Sequence, residues 1–170
     1  MLDRIINNDQ NAYIKGRYIG ENVRTITDLI HYCKRKQMTA ILLLVDFEKA
    51  FDTVNLNFLH KTLQTFNFGE NFQKWIGILY TRIRSTVMNN GHFSEYFSPE
   101  RGVRQGCPAS ALLFLLVVEI MAANIRHNDQ IKGVKLNEKK LKLASWQMIP
   151  HYLSEILNLS QTSNHSLRHL

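Results

Sequence analysis

Three short segments of this 170-residue chain carry residue types suited to phosphate or divalent-metal chemistry. In the first, an aliphatic run ends in an acid: Val45-Asp46-Phe47-Glu48-Lys49-Ala50-Phe51-Asp52. Burying a carboxylate without a partner costs several kcal/mol, so Asp46 is expected to meet a cation, a hydrogen-bond donor or a metal. An Asp in this position also caps helices, and on this segment alone both interpretations stay open.

The second segment is Gly102-Val103-Arg104-Gln105-Gly106-Cys107-Pro108, which leads into an apolar run. A glycine-rich turn at the start of a helix lets a flat or anionic ligand approach backbone N–H groups. The third is Lys15-Gly16-Arg17, where two cations flank a glycine and could approach phosphate together with the backbone. The ordinary alternative for the glycine-rich segment is a tight turn with proline at the first helical position. For Lys15-Gly16-Arg17 the ordinary alternative is a solvated turn.

The periodicity of apolar residues indicates the elements that position these segments. The chain segments with helical spacing are 20–37, 53–66, 70–80 and 108–126. The run 39–46 is rich in β-formers and predicts a strand buried on both faces, with Asp46 at its end. Asn89-Asn90-Gly91 predicts a hairpin turn, and a second hairpin is expected within 131–143. Asp52 or Thr53 is the expected N-cap of the second helix.

Composition sets the class of protein. The chain is 45% hydrophobic and carries a net charge of +7, which favours a polyanionic partner such as nucleic acid. Its two cysteines, Cys33 and Cys107, give neither a disulfide framework nor metal-ligand spacing, so we expect an intracellular location and no disulfide-linked partner. Whether that location is nuclear or cytoplasmic is not decided. The apolar run 109–118 is too short to cross a bilayer, and a soluble protein without a membrane partner is expected.

In combination, the motifs resemble a reverse transcriptase of the LINE-type non-LTR retrotransposons. Residues 45–52 resemble the first palm motif of that family and 102–114 its second. Residues 9–17, with Glu21-Asn22, resemble the segment that leads into the fingers.

The resemblance covers residues 1–143 and implies a partial reverse transcriptase domain. It implies an α/β (α+β) fold, a fragment of the right-hand polymerase with a mostly antiparallel palm sheet and helices packed on one face. Residues 1–38 would be the fingers side, and 39–143 the palm with interleaved fingers elements.

The resemblance also implies roles for individual residues. Asp46 would be the catalytic ligand of two magnesium ions, or of manganese in their place, and the Phe47 carbonyl would help to hold a metal. Phe51 would be the steric gate under the sugar, while Gln105 and Gly106 would line the incoming nucleotide. The partners would be an RNA template, a DNA primer and deoxynucleoside triphosphates. Three cations would contact phosphates or template: Lys15, Arg17 and Arg104.

One motif of the family is missing. An aromatic residue followed by Ala-Asp-Asp belongs just beyond 135–143, yet this chain reads Ala144-Ser145-Trp146-Gln147-Met148, and no Asp follows Asp129. Translated from the third base of the Trp146 codon, the same bases give Ala, then Asp or Asn, then Asp. Our hypothesis is that 144–170 is a divergent tail, out of frame or poorly ordered, with a splice junction near Ala144 as the competing explanation.

The sequence therefore predicts a fragment of a retrotransposon reverse transcriptase, whose family carries out RNA-templated DNA synthesis by two-metal nucleotidyl transfer. Little or no activity is expected of this chain alone, because Asp46 by itself would neutralise two nearby cations poorly. One alternative is a non-catalytic, basic nucleic-acid-binding remnant. Another is a decayed product that does not fold stably, because strands without partners leave a sheet edge open.

Overall fold

The computed structural model describes residues 2–43, 45, 47–136 and 139–142. Two compact units divide the chain: the first takes its described residues from Met1–Asp46 and Ile125–Leu170, and the second is Phe47–Asn124. Asp46, the expected turn at Asn137-Glu138 and the tail 144–170 lie outside the described residues.

The helices follow the apolar periodicity of the sequence. In chain order they are α1 (Leu2–Ile5), α2 (Gly20–Arg35), α3 (Leu56–Thr65), α4 (Glu70–Tyr80) and α5 (Ser110–His127). The start of α3 corrects the expected N-cap at Asp52 or Thr53. Residues 49–53 form a turn in which the N–H groups of both residues donate to the Lys49 carbonyl. The N-cap is Asn55, whose side chain accepts a hydrogen bond from the Phe58 N–H at 2.9 Å.

Both predicted hairpins are present among the described residues. The strands are β1 (Met88–Asn89), β2 (His92–Phe93), β3 (Val134–Leu136) and β4 (Lys139–Leu141), and they pair antiparallel as β1–β2 and β3–β4. Asn90 and Gly91 connect β1 to β2 with φ angles of 49° and 81°, the geometry that makes Asn-Gly a favoured two-residue hairpin turn. Each described sheet has two strands, whereas a larger antiparallel sheet was expected.

The predicted buried strand over 39–46 is wrong for its described residues. Residues 39–43 and Val45 belong to no strand, and Ile41 and Leu43 are 94% and 79% exposed. A strand exists only where neighbouring strands complete its backbone hydrogen bonds, and none of the described strands pairs with this run. High β-propensity alone therefore does not place it in a core.

The second unit is built around α3, α4 and α5. Helix α3 packs on α4 and contains the fully buried Leu63, and the ring of Phe68 in the connecting loop stacks on Phe72 with the centroids 5.1 Å apart. Helix α5 is the most buried of the described helices and includes the consecutive buried residues Leu113–Leu116. Among the described residues it is also the one helix long and apolar enough to span a membrane, with a mean hydropathy of 1.5. Its buried residues, Glu119 among them, are equally typical of a core helix.

Candidate functional site

The glycine-rich segment that precedes α5 is hydrogen-bonded through its backbone to the turn before α3. The Gly102 N–H donates to the Val54 carbonyl, and the Val103 N–H donates to the Phe51 carbonyl, both at 2.8 Å. Gly102 has a φ of +99°, and a Cβ there would lie 3.1 Å from both Cα and the carbonyl oxygen of Asp52. Only glycine lets the two backbones approach so closely.

The same segment is closed at its other end by the start of α5. The hydroxyl of Ser110, a buried residue, donates to the Arg104 carbonyl at 2.5 Å, and the Cys107 N–H donates to the same oxygen at 3.3 Å. Gly106 lies between them with a φ of +81°. Residues 102–110 therefore form a defined loop, called here the Gln-Gly loop, whose side chains at Arg104 and Gln105 are exposed.

Gln105 contacts Asp52 across 53 positions of sequence. Its Nε2 lies 3.1 Å from Oδ1 and 3.3 Å from Oδ2 of the Asp52 carboxylate. Because a carboxylate only accepts hydrogen bonds, the NH2 end of the amide must be the end that meets Asp52. The sequence interpretation assigned Asp52 to helix capping and missed this pair. No local pattern signals it, since the contact depends on how distant segments fold together.

Two aromatic rings from the segment after Asp46 pack against α5. Phe47 and Phe51 both meet the buried Phe114 edge to face, with centroid distances of 5.9 and 5.5 Å. Edge-to-face pairs of this kind are favourable and fix ring orientation. The structure thus brings Phe51, Gln105 and Gly106 onto neighbouring parts of one unit, and their joint role in nucleotide binding stays a prediction.

The predicted metal site lies only partly within the described part of the chain. Asp46 lies outside it, and Phe47, whose carbonyl is the other expected ligand, lies within it. No group of three or more His, Cys, Asp or Glu side chains in the described ranges is arranged to hold a metal ion. Magnesium is commonly held by one or two carboxylates together with substrate phosphates, so its binding at Asp46 stays a prediction.

The predicted phosphate contacts at Lys15 and Arg17 belong to the first unit and differ from each other. The Arg17 guanidinium donates to the carbonyls of Ile6, Asn7 and Gln10 at 3.2, 2.6 and 2.7 Å, so it organises the loop before α2. Lys15 is exposed next to Gly16, whose φ is +81°. The role of both in binding phosphate stays a prediction.

One buried and one partly buried polar pair also hold this loop, and the sequence interpretation missed both. Asn11 Nδ2 donates to Asn22 Oδ1 at 2.7 Å between two buried side chains, and Arg126 pairs with Asp9 at 3.0 Å. All four residues are ordinary surface types, so neither the burial of Asn11 and Asn22 nor the pairing of Arg126 with Asp9 is visible in composition or spacing.

Comparison with known proteins adds an independent result. A family model described as "Reverse transcriptase (RNA-dependent DNA polymerase)" matches residues 1–134. Among curated proteins, the chain is 31% identical to the "Transposon TX1 uncharacterized 149 kDa protein" of Xenopus laevis over 161 residues, which is 95% of this chain and 12% of that protein.

Two further relatives are polyproteins of retrotransposable elements. The "Retrovirus-related Pol polyprotein from type-2 retrotransposable element R2DM" of Drosophila melanogaster is 31% identical over 96 residues, covering 56% of this chain and 9% of the relative. The corresponding polyprotein "from type-1 retrotransposable element R2" of Nasonia vitripennis is 24% identical over 124 residues, covering 73% and 12%. The chain therefore spans about an eighth or less of the length of these three relatives.

Proposed function

Because this chain belongs to the reverse transcriptase family, with relatives among non-LTR retrotransposon proteins, we propose that it is the fingers-and-palm part of an RNA-directed DNA polymerase. In the reaction implied by the family, the 3′-hydroxyl of a DNA primer attacks a deoxynucleoside triphosphate opposite an RNA template. One observation carries the assignment of the site: the Gln-Gly loop is fastened by backbone hydrogen bonds to the segment that holds Phe51 and Asp52.

The described residues support the nucleotide side of this reaction. The backbone of the Gln-Gly loop is fixed at both ends, so Gln105 and Gly106 can present a preformed surface to a flat ligand. Phe51 is held against Phe114 and is partly exposed, as a ring that must exclude a ribose 2′-hydroxyl has to be. Arg104, exposed in the same loop, is the proposed phosphate contact.

We propose that the metal side of the reaction is incomplete in this chain. Magnesium would be held in part by Asp46 and the Phe47 carbonyl, but the sequence places Ser145-Trp146-Gln147 where the family has its second acidic motif. The expected outcome is nucleotide binding with little or no polymerisation.

A primer-extension assay on the purified 170-residue chain tests the second part of this proposal. We expect extension of a DNA primer on an RNA template, with Mg²⁺ or Mn²⁺, to be no greater than that of the matched variant Asp46→Ala. Robust extension by the wild type that is lost in the variant would show that the chain is a complete catalyst.

Binding of labelled dTTP, measured by equilibrium dialysis, tests the first part. Gln105→Ala is expected to weaken binding about 3- to 10-fold, the loss typical of one hydrogen bond. Gln64→Ala, on the exposed side of α3, is the control and should leave the affinity unchanged. Absence of any dTTP binding by the wild type would refute the nucleotide-binding function.

A second candidate function is non-catalytic binding of nucleic acid, and the net charge of +7 favours it. A chain with this function would belong to the same family but would have no nucleotide pocket. This function predicts that the affinity for nucleic acid falls steeply as the salt concentration rises.

A further inference from the structure

We propose that Asp52 is a positioning residue for Gln105: its carboxylate holds the NH2 end of the side-chain amide and leaves the carbonyl oxygen as the end available to a ligand. The identity of that ligand, a deoxynucleoside triphosphate, rests on the proposed function, whereas the hydrogen bond between Asp52 and Gln105 does not. Asp52 is free for this role because Asn55, three residues later, caps α3.

The polarity of the pair follows from the chemistry of its two groups. The Asp52 carboxylate has only acceptor oxygens, and both lie within 3.3 Å of Gln105 Nε2. The reverse orientation of the amide would place three acceptor oxygens together. A ligand that meets the free end of Gln105 must therefore donate a hydrogen bond, and a deoxynucleoside triphosphate offers a sugar hydroxyl and a base N–H for this purpose.

The backbone around Asp52 is fixed well enough to position another side chain. Phe51 and Val54, which flank it, accept hydrogen bonds from Val103 and Gly102 at 2.8 Å. Val54 and Val103 are both buried. The carboxylate and the amide thus project from two segments that are already clamped together, so little conformational freedom is lost when they pair.

The exposure of the pair indicates that its contribution is to orientation rather than to folding. Asp52 and Gln105 are both exposed, and hydrogen bonds between such groups add little to stability because water competes for them. We therefore expect Asp52→Asn to leave the thermal unfolding midpoint unchanged within error while it alters the behaviour of the Gln105 amide.

Nuclear magnetic resonance of the ¹⁵N-labelled full chain tests the hydrogen bond between Asp52 and Gln105 without any ligand. The Gln105 NH2 signals are assigned by their loss in Gln105→Glu. In the wild type they should show the high heteronuclear NOE of an ordered group, and in Asp52→Ala the low NOE of a free side chain. Glu48→Ala, which removes another exposed acid of the same segment, should leave them unchanged.

The backbone amide signals of Gly102 and Val103 show whether Asp52 only orients the Gln105 side chain or also supports the fold of the Gln-Gly loop. They should keep their chemical shifts in both Asp52→Asn and Asp52→Ala, because their acceptors are the carbonyls of Val54 and Phe51. If they move in both variants, Asp52 supports the loop as a whole, and the proposal is wrong. A Gln105 amide that is equally mobile in wild type and Asp52→Ala overturns it as well.

An exchange of donor and acceptor tests the polarity with labelled dTTP. Gln105→Glu alone places two carboxylates together and should lower dTTP affinity about tenfold. In the double variant Asp52→Asn/Gln105→Glu, the Asn NH2 donates to the new carboxylate, which restores the contact, an outward acceptor oxygen and the net charge of the pair. We expect the double variant to recover at least half of the lost affinity on a logarithmic scale.

These experiments distinguish a failure of the positioning role of Asp52 from a failure of the nucleotide-binding function. Additive losses in the double variant, with dTTP bound by the wild type, would refute the role of Asp52 and leave the nucleotide site standing. A wild-type chain that binds no dTTP would refute the proposed function, and the resonance experiment would still decide whether Asp52 holds Gln105.

Discussion

At the scale of single residues, Arg17 ties together the loop that precedes α2. Its guanidinium donates to the backbone carbonyls of Ile6 and Gln10 in part-buried positions, and to that of Asn7, which also accepts a hydrogen bond from the Gln10 N–H at 3.2 Å. Hydrogen bonds from a charged donor are stronger than those between neutral groups, and a carbonyl left without a partner in a part-buried position is costly. Arg17 therefore stabilises this loop whether or not it also contacts phosphate.

Arg17→Ala is expected to lower the free energy of unfolding by about 1.5–3 kcal/mol, the range for charge-assisted hydrogen bonds. Arg24→Ala is the matched control, because Arg24 meets Asp28 at 3.8 Å with both side chains largely exposed. That change should stay within about 0.5 kcal/mol. Urea denaturation measures both, and an Arg17→Ala chain as stable as the control would contradict the structural role.

The pairing of Asp52 with Gln105 shows what the sequence could not predict at this scale. The motif around Gln105 indicated a ligand-facing loop, and glycines at 102 and 106 do adopt positive φ angles. The partner of Gln105 was not predictable, because a hydrogen bond across 53 positions depends on the path of the chain in space. Local capping signals indicated Asp52 or Thr53, yet Asn55 is the residue whose side chain caps α3.

At the scale of elements, the run from Ile41 to Val45 is the clearest departure from expectation. Among its described members, Ile41 is almost fully exposed and Leu43 largely so. A short, uncharged, β-prone segment without proline is a favourable template for pairing with another chain. We expect this run to promote self-association of the protein rather than to stabilise its fold.

Replacement of Ile41 by Lys should therefore change the free energy of unfolding by less than about 0.5 kcal/mol and reduce aggregation on heating. Leu63→Ala, at a fully buried position of α3, is the contrasting variant and should cost about 2–5 kcal/mol. Denaturant titration and light scattering measure the two effects. If Ile41→Lys destabilises the chain as much as Leu63→Ala does, the run is buried and the original strand prediction holds.

The helices were predictable and this strand was not, for a physical reason. A helix completes its hydrogen bonds within itself, so apolar spacing and terminal residues suffice to indicate α2, α4 and α5. The Asn90-Gly91 hairpin is equally local, since its turn sets the register. A core strand needs partners from elsewhere in the chain, and its own sequence does not say whether they are present.

At the scale of the whole molecule, the excess of cations is the property that both candidate functions share. The net charge of +7 attracts a polyanion irrespective of catalysis. Each phosphate neutralised by a Lys or Arg releases bound counterions, so the affinity falls steeply as salt rises. The number of cations that contact the strand is therefore measurable from the dependence of binding on salt.

We expect the chain to bind single-stranded RNA with little sequence preference and with an affinity that drops steeply between about 50 and 200 mM salt. Replacing the exposed cations Lys15 and Arg104 together by Ala should make the slope of log K against log salt shallower by about 1.4, or about 0.7 per lost single-strand phosphate contact. Arg24→Ala should change it far less, because Asp28 already offsets that charge. Fluorescence anisotropy with a labelled oligonucleotide gives both slopes. Binding that ignores salt would refute nucleic-acid recognition by charge, and a steep slope unaffected by the double variant would place the contacts on other cations of the chain.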